Sequence, residues 1–187
     1  MTHLLPSLAD IEAAATVVYR DFPPTPQYRW GLLSERLGTE CWLKHENHTP
    51  VGAFKIRSGL TYFDQLARRG PLPREVISAT RGNHGQSMGW AARRHGVACT
   101  IVVPRGNSLE KNAAMRALGV TLVEHGDDFQ EAREHALHLA QERGAHMVPS
   151  FHPDLLRGVA TYWWEFLRAV PQLDVVYVPI GQGSGAC

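Results

Sequence analysis

Apolar residues recur with two different periods along this chain. From Ala53 to Arg69 they lie at helical spacing, which predicts an amphipathic helix. From Glu75 onward, short runs rich in β-branched residues alternate with longer amphipathic stretches. The predicted strands are Glu75–Ala79, Ala98–Val103, Thr121–Val123 and His146–Val148, and the predicted helices between them are Asn83–His95, Ser108–Leu118 and Asp127–Arg143. Strands that alternate with helices of this length predict βαβ units and a parallel sheet, so the expected fold class is α/β.

The segments on either side of this alternation predict a second structural unit. They contain predicted helices at Ser7–Tyr19 (with Ser7 as N-cap), Gly31–Leu37 and Asp154–Ala169, and predicted strands at Glu40–Lys44 and Asp174–Pro179. Turn-forming residues at 70–73 and 152–153 mark the expected boundaries. We therefore expect a large lobe made of residues 1–70 and 148–187, and a small inserted α/β lobe of residues 71–147.

The last predicted strand leads directly into the glycine loop Gly181-Gln-Gly-Ser-Gly, and the sequence ends at Cys187. A strand followed by such a loop usually continues into a helix. The large lobe is therefore expected to be incomplete at its C-terminal end, with the chain forming the front part of a longer protein.

Composition narrows the class of protein without identifying its chemistry. The 187 residues are 44% hydrophobic and 20% charged, with a net charge of +1, which is typical of a globular protein and predicts no nucleic-acid partner. No apolar run is long enough to predict a membrane span, and the N-terminus lacks the pattern of a signal peptide. The three cysteines, Cys41, Cys99 and Cys187, lie far apart and are expected to be reduced thiols, which predicts a cytoplasmic location.

Three segments carry candidate chemistry. Lys55 follows a turn at the start of the 53–69 helix, a position that can hold one amine against a bound aldehyde. Ser78–Ser87 follows a strand and opens a helix, where Asn83 can either bind a ligand or cap the helix. Val178–Gly185 joins a strand to a glycine loop that can form a phosphate-binding nest, although an ordinary βα turn is an equally good interpretation.

Together these segments identify a resemblance. Pro-x-x-Ala-Phe-Lys-x-Arg, Thr-x-Gly-Asn-His-Gly-Gln and Val-Pro-Ile-Gly-x-Gly-Ser-Gly occur here in the order found in fold-type II pyridoxal-phosphate enzymes. The sequence most resembles the serine/threonine dehydratase branch, which is related to serine racemase. The resemblance implies a two-lobed fold like that of the tryptophan synthase β subunit, with parallel sheets flanked by helices, and a homodimer at full length.

The resemblance also implies a role for each matching residue. Lys55 would bind pyridoxal 5'-phosphate covalently and later remove the substrate α-proton, with Phe54 packed beside the cofactor. Asn83 would hydrogen-bond the ring hydroxyl. The phosphate would be held by Gly181, Gln182, Gly183, Ser184 and Gly185. The substrate carboxylate would be received by Thr80, Gly82 and His84. The implied reaction converts threonine or serine to a 2-oxo acid and ammonia through an aminoacrylate.

Arg81 departs from the family pattern, because dehydratases tend to have alanine there and the racemase has a serine that acts as an acid/base. A guanidinium at this position either favours a substrate with a second anionic group or makes an ordinary surface ion pair. The alternatives are a racemase or β-replacement enzyme of the same fold, and a non-catalytic ligand-binding fragment. Lys44 and Lys111 are rival amines that lack the Phe-Lys-x-Arg context. The ten histidines predict no metal site.

Overall fold

The computed structural model describes residues 5–186 of the chain. In chain order the helices are α1 (Leu8–Val18), α2 (Gly31–Leu37), α3 (Lys55–Arg69), α4 (Asn83–Arg94), α5 (Leu109–Ala117), α6 (Phe129–Arg143) and α7 (Pro153–Ala169). The strands are β1 (Gln27–Arg29), β2 (Trp42–Lys44), β3 (Glu75–Ala79), β4 (Ala98–Val103), β5 (Thr121–Glu124) and β6 (His146–Met147).

Strands β3 to β6 form one parallel sheet in the spatial order β5-β4-β3-β6. Because successive side chains of a strand point to opposite faces, Val76 and Ile77 enter different cores. Val76 packs with residues of α3, α4 and α5, whereas Ile77 packs with Ala132 and Ala136 of α6. The sheet is thus flanked by helices on both faces, and the predicted α/β fold class is confirmed.

Helices α3 and α7 approach each other closely at Gly158. A side chain added to Gly158 would place its Cβ 2.1 Å from the carbonyl oxygen of Arg57 and 2.4 Å from the Thr61 hydroxyl. Thr61 also donates a 2.8 Å hydrogen bond to the carbonyl oxygen of Asp154. These contacts fix the start of α3, and therefore Lys55, against the N-terminal part of α7.

The structure corrects the sequence-based assignment in two places. Residues 174–179, predicted as a strand, form no β-ladder, and their side chains are largely exposed, with Tyr177 94% accessible. A β-branched run forms a strand only where another strand pairs with it, and residues 5–186 provide none there. The short strand β1 was not predicted, because three residues carry too little alternation; it pairs with β2 in an antiparallel ladder.

The four strands of the parallel sheet all lie between residues 75 and 147. The division into lobes at 1–70, 71–147 and 148–187 stays a prediction. Within residues 5–186, no helix combines the length and the apolar character needed to cross a bilayer. Cys41 and Cys99 are free thiols, as predicted, and Cys187 lies outside the described residues.

Candidate active site

Lys55 is the first residue of α3, and its side chain reaches the glycine loop. The Lys55 amine donates a 2.5 Å hydrogen bond to the hydroxyl of Ser184. Burial of the amine lowers the pKa of Lys55 from its ordinary value, because the charged form loses hydration. A lysine with a lowered pKa is more often unprotonated and can therefore act as a nucleophile or base. Two residues that are 129 positions apart in the chain, each in a different motif segment, thus meet.

The main chain of Lys55 is held by two serine hydroxyls. Ser58 and Ser87 each donate a 2.5 Å hydrogen bond to the carbonyl oxygen of Lys55. The Ser87 hydroxyl also accepts a 3.0 Å hydrogen bond from the N–H of Gly59. Ser87 lies on α4, so this pair of bonds ties the start of α3 to the helix that follows β3. Sequence reasoning included Ser87 in a motif but gave it no role.

The glycine loop is anchored by aromatic residues of α7. The carbonyl oxygen of Gly185 accepts a hydrogen bond from the Tyr162 hydroxyl and a 2.8 Å bond from the indole N–H of Trp163. Gly183 has φ of +91°, which favours glycine at that position. Sequence reasoning missed both anchors, because aromatic residues on an apolar helix face are indistinguishable from core residues until the loop is placed beside them.

The remaining loop residues differ in exposure. Ser184 and Gly185 are buried, while Gly181 and Gln182 are exposed. The Ser184 hydroxyl accepts the hydrogen bond from the Lys55 amine. Because a glycine-rich turn can direct successive main-chain N–H groups toward an anion, this loop is a candidate anion-binding segment.

Phe54 joins the amine to this loop. Its ring centroid lies 5.8 Å from that of Tyr162 and 5.2 Å from the Lys55 amine nitrogen. A Cβ added to Gly185 would lie 3.4 Å from the Phe54 ring. Phe54 is therefore packed between the start of α3 and the glycine loop.

The loop between β3 and α4 provides the third side of the site. The Thr80 hydroxyl accepts a 3.0 Å hydrogen bond from the N–H of Gly82, which closes a tight turn. Gly82, and not Asn83, is the N-cap residue of α4, and no side chain caps this helix. The interpretation of Asn83 as a helix cap is therefore wrong, and its exposed amide is left for another partner. Arg81 is also exposed and makes no ion pair within residues 5–186, so the surface ion pair considered for it is not formed.

His84 is the most unusual residue of the site. Its side chain is buried, with 7% of its surface accessible, and neither ring nitrogen has a hydrogen-bond partner among residues 5–186. Burial, with the charge of Lys55 as a smaller cause, lowers the pKa of His84 to about 3. The imidazole is therefore neutral at physiological pH, with one ring nitrogen able to donate and the other to accept a hydrogen bond. Because the charge of Lys55 contributes to this shift, the start of α4 lies near the Lys55 amine.

The two rival lysines occupy other environments. The Lys44 amine makes a 2.6 Å ion pair with Glu165 and is buried, so it is already neutralised. Lys111, on α5, is exposed, and its side-chain carbons lie against Gly82. Within residues 5–186, neither Lys44 nor Lys111 forms a hydrogen bond with the glycine loop.

A groove beside these residues is a separate feature. It has a volume of about 1090 Å³ and shares Phe54, Tyr162 and Gly185 with the site, but Lys55 and His84 do not line it. The chemistry is instead concentrated where a half-buried amine, a glycine loop and an uncapped helix N-terminus converge. Such a combination can hold an anionic ligand that carries an aldehyde.

Comparison with known proteins gives one consistent result. The family model described as "Pyridoxal-phosphate dependent enzyme" matches residues 18–187. A threonine dehydratase from Nicotiana attenuata is 36% identical over 175 residues, which cover 93% of this chain and 29% of that protein. An L-threonine ammonia-lyase from Thermotoga maritima is 35% identical over 179 residues, which cover 95% of this chain and 44% of that protein.

Solved structures extend this similarity to the fold. A crystal structure of a pyridoxal 5'-phosphate-dependent aspartate racemase superimposes with a TM-score of 0.92 at 28% sequence identity. The match covers 100% of this chain and 58% of the racemase chain. The chain thus spans well under two thirds of the length of these relatives.

Proposed function

The chain belongs to the family of pyridoxal-phosphate-dependent enzymes, and from this premise we propose that it deaminates a β-hydroxy amino acid, threonine or serine, to a 2-oxo acid and ammonia. The main support is the contact between the Lys55 amine and Ser184 of the glycine loop, because it joins two of the three motif segments. The similarity to threonine dehydratases from a plant and a bacterium favours this reaction over others of the family.

The residues present fit pyridoxal phosphate. The cofactor needs an amine for its aldehyde and hydrogen-bond donors for its phosphate, and Lys55 would supply the first while Gly181–Gly185 would supply the second. Phe54 would pack beside the cofactor, and the free amide of Asn83 would bond its ring hydroxyl. When bound, the cofactor supplies an electron sink that stabilises negative charge on the substrate α-carbon.

The protein's own residues supply binding and proton transfer. The uncapped start of α4 and the Thr80 hydroxyl would receive the substrate carboxylate, with the main chain of Gly82 and the neutral imidazole of His84 beside it. The lowered pKa of Lys55 favours the free amine, which can accept the α-proton. The bonds from Ser58 and Ser87 would hold the main chain of Lys55 in place, which limits where its side chain can extend.

A second candidate function is racemisation, which is suggested by the similarity to an aspartate racemase. Racemisation needs an acid/base group on each face of the substrate α-carbon, because the proton is removed from one face and returned to the other. Arg81 stands where the related serine racemase has its second acid/base, and a guanidinium has hydrogen-bond donors but no acceptor for a proton. The residue at position 81 therefore favours deamination.

Reduction with borohydride after loading with pyridoxal phosphate tests the site directly. We expect a phosphopyridoxyl label on Lys55 by peptide mapping, and loss of both label and threonine turnover in Lys55→Ala. Lys111→Ala is the control, because it removes a lysine that lies against Gly82 and not against the glycine loop, and it should keep the label on Lys55. Circular dichroism checks that each variant is folded.

The outcomes separate the candidate functions. Release of 2-oxobutanoate and ammonia from threonine supports the deaminase, whereas conversion of L-serine to D-serine without release of ammonia supports a racemase. Stabilisation by threonine without turnover supports a binding protein, and label on another lysine contradicts the assignment of Lys55. Homodimer formation and a cytoplasmic location stay predictions.

A further inference from the structure

Two cationic side chains lie at the loop that starts α4, and neither is neutralised. Arg81 is part of this loop, and Lys111 contacts it from α5. Within residues 5–186 neither side chain makes an ion pair, although buried cations such as Lys44 and Arg57 pair with carboxylates. Two unpaired charges beside one loop favour the binding of an anion there.

The contact between Lys111 and Gly82 is close. A Cβ added to Gly82 would lie 2.5 Å from Cδ of Lys111 and 3.3 Å from its Cε. The lysine stem therefore occupies the space that a side chain at position 82 would need. The ammonium, one bond beyond Cε, is consequently carried beside the loop.

His84 shows that this loop is built to receive a ligand. Buried polar groups are almost always hydrogen-bonded, yet both ring nitrogens of His84 are buried and find no partner in the part of the chain that the structure describes. The same turn of α4 has no side-chain cap, so its positive end is also available. These features are enough to bind one carboxylate. The positive charges of Arg81 and Lys111 are not needed for that carboxylate.

We propose that Arg81 and Lys111 bind a second acidic group of the substrate, so that the preferred substrate class is a β-hydroxy dicarboxylic amino acid such as 3-hydroxyaspartate. This inference rests on the proposed deamination. The guanidinium can bond a carboxylate with two parallel N–H donors, and the lysine supplies a second positive charge. A substrate with only one carboxylate leaves both cations without a partner.

The test compares kcat/KM for 3-hydroxyaspartate with kcat/KM for threonine in the holoenzyme. We expect Arg81→Gln to lower the ratio of the two values about 10- to 100-fold, because a hydrogen bond to a charged group is lost. Lys111→Met, which keeps most of the stem but removes the charge, should lower the ratio less. Arg133→Gln is the matched control, since Arg133 is an exposed arginine of α6 without an ion pair within residues 5–186.

A binding experiment keeps this inference separate from the proposed reaction. Succinate should raise the melting temperature of the protein more than butyrate does, and Arg81→Gln should remove that difference. Suppose that threonine is deaminated but the ratio of kcat/KM for 3-hydroxyaspartate to kcat/KM for threonine is the same in Arg81→Gln and wild type. The binding of a second acidic group by Arg81 is then refuted, whereas the proposed deamination is supported. If neither amino acid reacts, the proposed reaction fails, and equal stabilisation by succinate and butyrate then refutes the subsite as well.

Discussion

The His84 side chain is buried, and neither of its ring nitrogens has a hydrogen-bond partner among residues 5–186, which is costly for a single residue. An imidazole that loses water without gaining hydrogen bonds destabilises the folded state, so His84 lowers local stability. Because the buried ring has a low pKa, about 3, the stability of the folded protein also depends on pH. In the unfolded chain the same ring takes up a proton near its ordinary pKa of 6.5.

The protein should therefore lose stability as the pH falls below 6.5, because the unfolded chain binds a proton that the folded one does not. For His84 alone the expected slope is up to about 1.4 kcal/mol per pH unit. Urea unfolding between pH 6.5 and 4.5 should show a shallower slope in His84→Asn. The exposed His138→Asn serves as control, and an unchanged slope in His84→Asn contradicts the buried neutral imidazole.

At the scale of elements, the position of the reactive amine depends on how α3 and α7 cross. Gly158 lets the two helices approach until the main chain of Arg57 touches α7. Lys55 lies two residues before Arg57, so a change in this crossing is transmitted to the amine. Tyr162 and Trp163, one turn further along α7, anchor the glycine loop. One helix thus sets the positions of both partners of the Lys55–Ser184 contact.

Gly158→Ala should destabilise the protein by about 1–3 kcal/mol, because the new methyl group meets a main-chain oxygen that cannot rotate away. Cofactor affinity should fall as well, since the helices must separate. Gly31→Ala, at the start of α2 with open space around it, is the control. Urea unfolding and titration with pyridoxal phosphate measure the two effects, and equal results for both variants would show that the crossing tolerates a side chain.

Across the whole molecule, a buried network of charges connects distant segments. The Arg57 side chain, with none of its surface accessible, pairs with Glu46 at 2.8 Å and with Glu165 at 2.6 Å. Glu165 also pairs with Lys44, and Thr25 bonds both Glu46 and Arg57. Although burial raises the pKa of Glu165, the bonds from Arg57 and the nearby Lys44 lower it overall.

Arg57→Met should cost about 3–5 kcal/mol at pH 7, because it leaves buried carboxylates without their main partner. A carboxylate with a lowered pKa stabilises the fold above its ordinary pKa of 4.5, and this contribution is lost as the pH falls through the lowered value. The difference between wild type and Arg57→Met should therefore shrink below about pH 4.5. Arg93→Met, at an exposed α4 arginine, is the control for chemical denaturation, and a difference that is the same at pH 3 as at pH 7 contradicts the role of Glu165.

Sequence reasoning reached the elements whose signal is local. Three elements have the predicted bounds: the helix Gly31–Leu37 and the strands Glu75–Ala79 and Ala98–Val103. Their sequence signals, apolar alternation and capping residues, lie at neighbouring positions of the chain. The residues that support the site were missed: the partners of Ser87, Tyr162 and Trp163 are 22 to 32 positions away. Residues 174–179 were misassigned for the same reason, since a strand depends on a neighbour that its own sequence does not specify.

The indole of Trp163 gives the molecule an internal optical probe. Its N–H bonds Gly185, and the glycine loop that ends there also contacts the Lys55 amine through Ser184. Because Ser184 adjoins Gly185, we expect a ligand that takes the place of Ser184 beside the amine to change the surroundings of this indole. The emission of Trp163, isolated by subtracting the spectrum of a Trp163→Phe variant, therefore reports the arrival of a ligand in real time, without a substrate, a label or a coupled assay.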